Sequence, residues 1–385
     1  MRRVTLVVVD GDGEPLGMTA PFAVKTPWWQ DLEPVLAAHP GVVVLRLLRA
    51  HPAPGSNAGG EVTYLVQADP RPPDLSPVPS DLLTVIRTKD PRRAPWAHPG
   101  GPQADLEWAA GLVELNGSPQ QMRSWNLSSI WRLPTAEGDV WLKCVPPMFA
   151  HEAAVIRFWG PDAPVPRLIA AAGHRMLLAP LEGRDGYDAN RSQFAAIIDV
   201  LVALQAGYAD RLPSIRPVLP DWDFPSLRER ISAARAGRRD RWPALSDLLD
   251  DRWDSRIAAI EECGVGPTIF HGDLHPGNAR IGLASPVLFD WGDSGWGHPL
   301  LDLAVLERYD VHGEYGLCRH WLERWGAALP GSDPVRAWDL LRPVALARAA
   351  AVFRMFVDAV EETEAVYHLG DIDPALDQAE AALRR

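Results

Sequence analysis

The residues best suited to chemistry concentrate in one short stretch, HGDLHPGN, which runs from His271 to Asn278. A second stretch, VLFDWGD, carries Asp290, twelve residues beyond Asn278. Both follow apolar, β-prone segments, so their polar side chains are predicted at strand ends or on tight loops. Transfer of a phosphoryl group needs a carboxylate that accepts the proton of the attacking hydroxyl, and oxygen ligands for magnesium. Asp273 suits the first task, and Asn278 and Asp290 suit the second.

The same stretch also has the form H-x-D-x-H, through His271, Asp273 and His275, which suggests a metallohydrolase. Such a site would need further histidine ligands at motif spacing, and the neighbouring sequence offers none. We therefore interpret His271 as a structural hydrogen-bonding residue and His275 as a support of the loop.

Lysine is rare in this chain. Of 38 basic residues, only Lys25, Lys89 and Lys143 are lysines, and Lys143 lies in the apolar, strand-like VWLKCV. An ammonium is a compact point charge, whereas a guanidinium is a planar fork. Lys143 is thus either a snorkelling strand residue or part of a site that fits only the smaller cation.

HGDLHPGN together with FDWGDSGWGHPLLDLA resembles the aminoglycoside phosphotransferase and choline kinase-like family, relatives of the protein kinases. The resemblance covers roughly residues 105–385. It implies that Asp273 is the catalytic base and that Asn278 and Asp290 bind Mg²⁺. It also implies ATP or GTP as phosphate donor and a small-molecule hydroxyl as acceptor. Asp302 resembles the family residue that braces the catalytic loop from a helix.

The resemblance assigns further roles upstream of this loop. Lys143 matches the strand lysine that contacts the α- and β-phosphates, and Glu152, in the helix-like HEAAVIRFW, is expected to pair with it. An exposed helix acid is the alternative for Glu152. The segment WNLSSIW takes the place of the phosphate-covering loop but contains no glycine. Ser128 and Ser129 are therefore expected to donate hydroxyl or backbone N–H groups to phosphate oxygens.

The segment Met176–Gly183, MLLAPLEG, is the predicted hinge between two lobes. Leu178, Pro180 and Leu181 are expected to line the core or the wall of a nucleotide pocket, and Glu182 to face ribose or solvent. Adenine recognition at such a hinge uses backbone groups, so these side chains do not distinguish ATP from GTP. The implied MgATP site lies between the lobes.

The elements that must position these residues change in character along the chain. Residues 1–69 alternate strand and helix signals (VTLVVV, WWQDLEPVLAAH, VVVLRLL, EVTYLVQA) and predict a small α/β accessory domain. Its order loosely resembles a Nudix fold, but the helix offers only Asp31 and Glu33 in place of a Glu-rich metal box. A structural or substrate-capping role is therefore favoured over hydrolysis.

A proline-rich connector is predicted to follow this accessory domain. Residues 70–102 contain nine prolines and predict an extended, semi-rigid linker, in which DLLTVI has enough apolar surface to pack on a neighbour.

From residue 103 onward, strand signals come first and helix signals later. ADLEWAAGLVEL predicts a helix, and QQMRSWN, IWRLPT and DVWLKCVP predict three strands joined by turns at LSS and AEGD. A helix at AHEAAVIRFWG and a strand at HRMLLAPLEG follow. We therefore predict an α+β, bilobal protein-kinase-like fold, with the N-lobe and hinge over 103–183 and a mainly helical C-lobe over 184–385.

The acceptor in this family is held by C-terminal helices beside the catalytic loop. The segment Asp358–Glu380 contains eight acids and no Lys or Arg, and most of it is interpreted as a solvated helix face. Candidate substrate contacts are Asp293, Trp296, Glu307, Asp310, Asp358 and Glu362. An amino sugar, an aminoglycoside or another cationic antibiotic or metabolite is the favoured acceptor. A neutral sugar, a homoserine-like or a choline-like alcohol stays open.

Charge and composition narrow the partners further. The net charge is −12 and no basic face stands out, so nucleic acid is not an expected partner. Cys144, Cys263 and Cys318 are scattered and odd in number, which argues against a disulfide framework or a zinc site.

No stretch of eighteen apolar residues occurs, and Asp10 and Asp12 directly follow the first apolar run, which indicates a strand and not a signal peptide. A cytoplasmic monomer or homodimer without membrane contact is expected. A non-catalytic nucleotide-binding regulator is the alternative from another functional class. The complete set of Asp273, Asn278 and Asp290, together with the strand lysine, favours the enzyme.

Overall fold

The computed structural model describes residues 1–55, 58–208, 211–282, 284–310 and 316–384. The chain forms two compact units. The first comprises Met1–Ala150, Leu168–Pro180 and Phe356–Gly370, and the second comprises His151–Arg167, Leu181–Met355 and Asp371–Arg385. The limits of these units differ from the domain boundaries predicted at residues 69, 102 and 183. Those domain boundaries stay predictions.

The first unit begins with a five-stranded sheet. Its strands are β1 (Arg2–Val9), β2 (Pro15–Met18), β3 (Phe22–Val24), β4 (Val42–His51) and β5 (Gly60–Ala68). The order is β2-β1-β5-β4 with β3 also beside β1, and only β1 and β5 run parallel in this sheet. The predicted helix within WWQDLEPVLAAH is confined to α1 (Glu33–Ala38), because Pro34 suits only the first helical turn. The Nudix-like order stays a prediction.

Both faces of this sheet are covered. On one face, Val4, Leu6 and Val8 pack with Trp29 and Leu32 in a single apolar cluster. On the other face, a second cluster contains Leu82 from α2 (Ser80–Arg87), which lies inside the predicted connector. The proline-rich segment is therefore partly helical, and its DLLTVI stretch packs on the sheet. The helix α3 (Gly101–Ala110) begins at the C-terminal end of the proline-rich segment.

A second, antiparallel sheet completes the first unit. Its strands are β6 (Gln120–Trp125), β7 (Ser128–Thr135), β8 (Gly138–Cys144), β9 (Leu168–Ala172) and β10 (Arg175–Leu178), in the order β6-β7-β8-β10-β9. The strands β6, β7 and β8 confirm the three that the sequence predicts. The first turn falls at Asn126–Leu127 and not at LSS, because both serines pair within the β6–β7 ladder.

Gln121 links the two sheets of the first unit. Its side-chain amide accepts a hydrogen bond from the N–H of Val44 at 2.9 Å and donates one to the carbonyl of Val44 at 2.8 Å. The amide thus satisfies both backbone groups at one position of the edge strand β4, as a neighbouring strand would.

The acidic C-terminal segment contradicts the expectation of a solvated helix face at three positions. Glu361, Glu364 and Glu380 are buried, with exposures of 4%, 3% and 6%. Glu361 pairs with Arg46, and Glu364 accepts a hydrogen bond from the backbone N–H of Leu47. Buried polar groups require such partners, so these acidic side chains hold structure in place.

Glu380 illustrates the same rule in the second unit. Its two oxygens accept hydrogen bonds from the N–H groups of Ala244 and Leu245 at 3.1 and 2.8 Å, at the start of the helix Pro243–Asp247. A carboxylate at this end of a helix satisfies N–H groups that have no partner within the helix.

The second unit is mainly helical, as the sequence predicts. Its helices are α4 (Glu152–Trp159), α5 (Arg191–Gly207), α6 (Leu212–Ile215), α7 (Phe224–Arg235), α8 (Pro243–Asp247), α9 (Trp253–Glu261), α10 (Leu303–Leu306), α11 (Leu317–Ala328), α12 (Pro334–Ala359) and α13 (Ile372–Leu383), and α12 continues into the first unit at Phe356. This unit also contains two small three-stranded sheets. One has the order β11 (Arg184–Asp185), β14 (Ala279–Ile281), β15 (Val287–Leu288). The other has the order β12 (Asp221–Trp222), β16 (Gly295–Gly297), β13 (Thr268–Phe270).

Across the described ranges, no single helix has both the length and the apolar character needed to cross a membrane. One bent pair, Arg191–Gly207 with Leu212–Val218, meets those two criteria jointly.

Candidate active site

The HGDLHPGN loop starts where β13 ends, as predicted, and it is held from below by Asp302. The carboxylate of Asp302 accepts hydrogen bonds from the backbone N–H groups of His271 at 2.8 Å and Gly272 at 2.6 Å. Asp302 is fully buried, and this burial raises its pKa to about 6, against the lowering effect of the two N–H donors. This geometry supports the predicted bracing role.

Asp273 and Asn278 lie side by side on this loop, and Asn278 is buried. The amide nitrogen of Asn278 donates to the carbonyl of Asp273 at 2.9 Å and to its carboxylate at 3.1 Å. The side chain of Asp273 is 44% exposed, so one carboxylate is both oriented and accessible. Because its nitrogen is turned towards Asp273, the amide of Asn278 presents its oxygen in the other direction.

The strand pair β14 and β15 brings the residue before Asp290 into backbone contact with Asn278. Ala279 pairs with Leu288, and the N–H of Phe289 donates to the carbonyl of Asn278 at 3.0 Å. Asp290 follows with φ of 65°, a left-handed conformation that aspartate adopts more readily than most residues. Backbone strain of this kind concentrates at functional sites, where the surrounding structure maintains it.

His271 joins these two loops through its ring nitrogens. Its Nε2–H donates to the carbonyl of Phe289 at 3.1 Å, while Nδ1 faces the N–H of Asp273 at 3.4 Å. Complete burial lowers the pKa of His271 to about 4, so the ring is neutral at physiological pH. Both ring nitrogens thus face protein groups, which supports the structural role predicted for His271 over metal ligation.

His275 supports the loop and also belongs to a stack of rings that the sequence did not reveal. Its Nδ1 accepts from the N–H of Gly277 at 3.0 Å, and its Nε2 lies 3.5 Å from the carboxylate of Asp273. The ring stacks on Tyr187 at 6.0 Å and on Tyr309 at 5.5 Å between centroids. No motif marks the tyrosines, because they come from distant parts of the chain.

The N-terminal part of the predicted site lies on the second sheet of the first unit. Lys143 is on β8 and is 8% exposed. Ser128 and Ser129 are buried on β7, where their hydroxyls accept hydrogen bonds from the indole N–H groups of Trp125 and Trp131 at 3.0 and 3.2 Å. Their predicted role at the phosphates stays a prediction.

Glu152 belongs to the second unit, as the first residue of α4. It is 1% exposed, and its Oε1 accepts a hydrogen bond from the N–H of Trp291, directly after Asp290, at 3.2 Å. The alternative of an exposed helix acid is therefore wrong. Its pairing with Lys143 stays a prediction.

The predicted hinge residues lie where the chain leaves the first unit. Leu178 ends β10, Pro180 is the last residue of this stretch of the first unit, and Leu181 begins the second. These three are half-buried, and Glu182 is exposed. Their contact with a nucleotide stays a prediction.

The predicted substrate residues occupy different surroundings. Glu307 accepts from the guanidinium of Arg342 at 3.0 Å, and Asp310 is buried and accepts from the N–H of Leu317 at 2.7 Å. Both are thus engaged in the helical scaffold. Trp296 is half-buried on β16, and its ring lies 4.8 Å from the guanidinium carbon of Arg216.

Of the three other candidates, one belongs to the second unit and two belong to the first. Asp293 is half-buried three residues after Asp290, whereas Asp358 and Glu362 are exposed residues of the first unit. As substrate contacts, all six candidates stay predictions.

A separate cluster in the first unit contains Asp105, Cys144 and His174, whose polar atoms lie within 4.8 Å of one another. The guanidinium of Arg175 donates to Asp105 at 2.6 Å, and His174 and Cys144 lie at 2.9 and 3.3 Å from the same carboxylate. Burial raises the pKa of the Cys144 thiol well above its usual value. The Asp105 carboxylate of this cluster is therefore already paired with a guanidinium.

Asn278 and Asp290 provide a chemically suitable pair for a divalent metal. An amide oxygen and a carboxylate are the hard oxygen ligands that Mg²⁺ prefers. The Asp273 carboxylate is held beside Asn278 by the amide of that residue. The arrangement can hold a metal-bound phosphate next to a base.

Comparisons with known proteins agree with this reading of the fold. The model of the phosphotransferase enzyme family matches residues 128–341. A provisional aminoglycoside phosphotransferase from Ralstonia eutropha JMP134 is 16% identical, with a TM-score of 0.52 over 73% of this chain and 98% of its own. An ethanolamine kinase from Plasmodium vivax is 9% identical, with a TM-score of 0.52 over 71% of this chain and 86% of its own.

An amicoumacin kinase in complex with AMP-PNP, Ca²⁺ and amicoumacin is 15% identical, with a TM-score of 0.51 over 72% of this chain and 93% of its own. No curated protein has a matching sequence. The structural likenesses confirm the predicted α+β, protein-kinase-like fold.

Proposed function

Because the chain belongs to the phosphotransferase enzyme family and is a small-molecule phosphotransferase, we propose that Asp273 is its catalytic base, with Asn278 and Asp290 as metal ligands. One arrangement above all supports these roles. The amide of Asn278 orients the accessible Asp273 carboxylate, and the residue before Asp290 is in backbone contact with Asn278 at the β14–β15 pair. Phosphoryl transfer depends mainly on such positioning and on charge neutralisation.

In the proposed mechanism, Asp273 would receive the hydroxyl of the acceptor and accept its proton as the oxygen attacks the γ-phosphorus. The bond from that phosphorus to the β–γ bridging oxygen would break, and the nucleoside diphosphate would leave. Asn278 keeps the carboxylate pointed at the hydroxyl through the 3.1 Å hydrogen bond. Asn278 and Asp290 would hold Mg²⁺, which neutralises the charge of the phosphates when bound. Lys143 would bind the α- and β-phosphates, and Glu152 would orient Lys143.

A nucleoside triphosphate is the proposed donor, with ATP as the first choice and GTP as the alternative. The AMP-PNP and Ca²⁺ in the amicoumacin kinase complex support this choice by analogy of fold. Ser128, Ser129, Leu178, Pro180 and Leu181 are the further residues proposed to contact this nucleotide.

The proposed acceptor carries an amine as well as a hydroxyl. Two acidic residues lie near the proposed reacting position, because Asp293 contacts Gly272, the residue before Asp273. The ethanolamine kinase of similar fold is named for an amino alcohol. The stacked rings of Tyr187, His275 and Tyr309 lie next to Asp273 and would favour a cation over a neutral sugar.

An acceptor panel tests both proposals. Amino sugars, aminoglycosides and amino alcohols would be assayed against matched neutral sugars and alcohols for release of nucleoside diphosphate, with ATP and GTP in parallel. We expect magnesium-dependent turnover with the amines and much lower kcat/KM with their neutral counterparts. Equal turnover of both groups would refute the cationic acceptor. Nucleotide binding without turnover of any acceptor in the panel would count against the roles proposed for Asp273, Asn278 and Asp290.

A further inference from the structure

Arg348 is a buried cation in the middle of α12, and the proposed chemistry assigns it no role. It is 4% exposed, and its helical neighbours Val344, Ala347, Ala351 and Val352 are also buried. Burial disfavours the charged form and lowers the pKa of Arg348. A buried guanidinium is therefore expected only where its hydrogen bonds serve a specific structure.

The guanidinium spans the two loops of the proposed site. Its Nη1 donates to the carbonyl of Gly272 at 3.1 Å, and its Nη2 donates to the carbonyl of Asp293 at 3.4 Å. Gly272 directly precedes Asp273, and Asp293 closes the short turn Trp291–Asp293 that follows Asp290. One side chain thus contacts the backbone of both loops.

Gly272 is held from two sides by opposite charges. Its carbonyl accepts from Arg348, and its N–H donates to the carboxylate of Asp302 at 2.6 Å. The peptide units around Gly272 therefore have little freedom to rotate, which fixes the direction of the next residue, Asp273.

The two loops are in backbone contact at this point. Gly272 has φ of 89°, and a Cβ atom there would lie 2.0 Å from the carbonyl oxygen of Asp293. This contact brings two backbone carbonyl groups close to one cation, which attracts both of them.

Aromatic rings fix the plane of the guanidinium. Its central carbon lies 4.7 Å from the ring centroid of Trp222 and 4.7 Å from that of Phe270. A lysine ammonium has neither a plane to stack nor a fork that reaches two acceptors. The site is therefore specific for arginine.

We propose that Arg348 is a positioning residue that holds the loop of Asp273 and the loop of Asp290 in one fixed arrangement. The inference rests on the proposed function of these aspartates. Arg348 acts through the backbone of Gly272 and Asp293, so its loss disturbs the geometry of the reaction more than the affinity for either substrate.

The test compares Arg348→Lys and Arg348→Met with Arg235→Met in the full chain. Arg235 is a matched control, because it is also a 4% exposed arginine on a helix of the second unit and donates to Ser246 and Asp250, outside the site. For both Arg348 variants we expect kcat to fall by about 100-fold, the order expected when reacting groups are misplaced by about 1 Å. The KM values for nucleotide and acceptor should stay near those of the wild type, and Arg235→Met should keep the wild-type kcat.

Chemical rescue separates positioning from general loss of structure. Guanidinium ion at concentrations well below those that denature the protein should restore part of the kcat of Arg348→Ala and none of that of Asp273→Ala. A folded Arg348→Lys with wild-type kcat would overturn the inference, as would failure of both Lys and Met variants to fold. If the wild type transferred no phosphate, the proposed function would fail first and this inference with it.

Discussion

Removal of the Glu361 carboxylate should destabilise the first unit strongly. Glu361 lies 3.1 Å from Nη1 of Arg46 and 2.9 Å from Nε of Arg93. The side chains of Arg46 and Glu361 are only 1% and 5% exposed. Glu361→Ala therefore leaves the buried Arg46 charge without this carboxylate, at a position where water cannot replace it. Breaking a buried pair in this way costs about 3–5 kcal/mol. For a unit of this size, that corresponds to a fall in Tm of about 6–20 °C.

The assay is urea and thermal unfolding of the full chain, followed by circular dichroism. Glu362→Ala is the control, because Glu362 is the next residue and its side chain is exposed; its variant should stay within about 0.5 kcal/mol of the wild type. Glu361→Gln, which keeps an acceptor for Arg46, should lose less than Glu361→Ala. Equal stability of Glu361→Ala and Glu362→Ala would refute the reasoning.

Three further outcomes are expected. Burial raises the pKa of Glu364 from 4.5 to about 8, so the folded state retains a proton that the unfolded state releases. The contribution of Glu364 to the free energy of unfolding therefore falls as pH rises from about 4.5 to about 8. Glu364→Gln should flatten that decline in a series of unfolding curves between pH 5 and 8; an unchanged slope would contradict it. Gly272→Ala should lower both Tm and kcat, because its Cβ would lie 2.0 Å from the carbonyl oxygen of Asp293, and a variant with normal kcat would show that the loops tolerate separation. Asp290→Ala should abolish transfer with little change in Tm. If residual activity is measurable, its magnesium titration should show a lower affinity for the metal. Wild-type turnover would exclude Asp290 as a ligand.

The local part of the site was predictable from the sequence. HGDLHPGN directly follows the apolar strand β13, and VLFDWGD begins with the strand β15, which ends two residues before Asp290. Strand placement is a short-range property, so a motif of eight residues and its neighbouring strand carry enough information to predict it.

Long-range partners were not predictable in the same way. Glu361 is buried because Arg46, 315 residues earlier in the chain, lies against it. An acidic run by itself indicates solvent exposure, since most charged residues are exposed. Only the fold shows that Arg46 and Leu47 provide the partners for Glu361 and Glu364.

Arg348 has a signal in the sequence. It stands as the one basic residue in the apolar helical stretch 343–353, PVALARAAAVF, much as Lys143 stands in VWLKCV. An isolated cation on an apolar helix indicates a buried charge with a specific partner. The partner carbonyls of Gly272 and Asp293 carry no sequence signature, because every residue has a carbonyl.

The most direct test of the central claim is transfer of labelled phosphate by Asp273→Asn. This substitution keeps the size of the side chain and removes its ability to accept a proton, and the 44% exposure of Asp273 predicts little effect on folding. With the best acceptor from the panel and γ-labelled ATP, the wild type should place the label on the acceptor hydroxyl. The folded Asp273→Asn variant should bind nucleotide normally and transfer at least about 100-fold more slowly, as expected for loss of a general base. Transfer at the wild-type rate would contradict the assignment of Asp273 as the base.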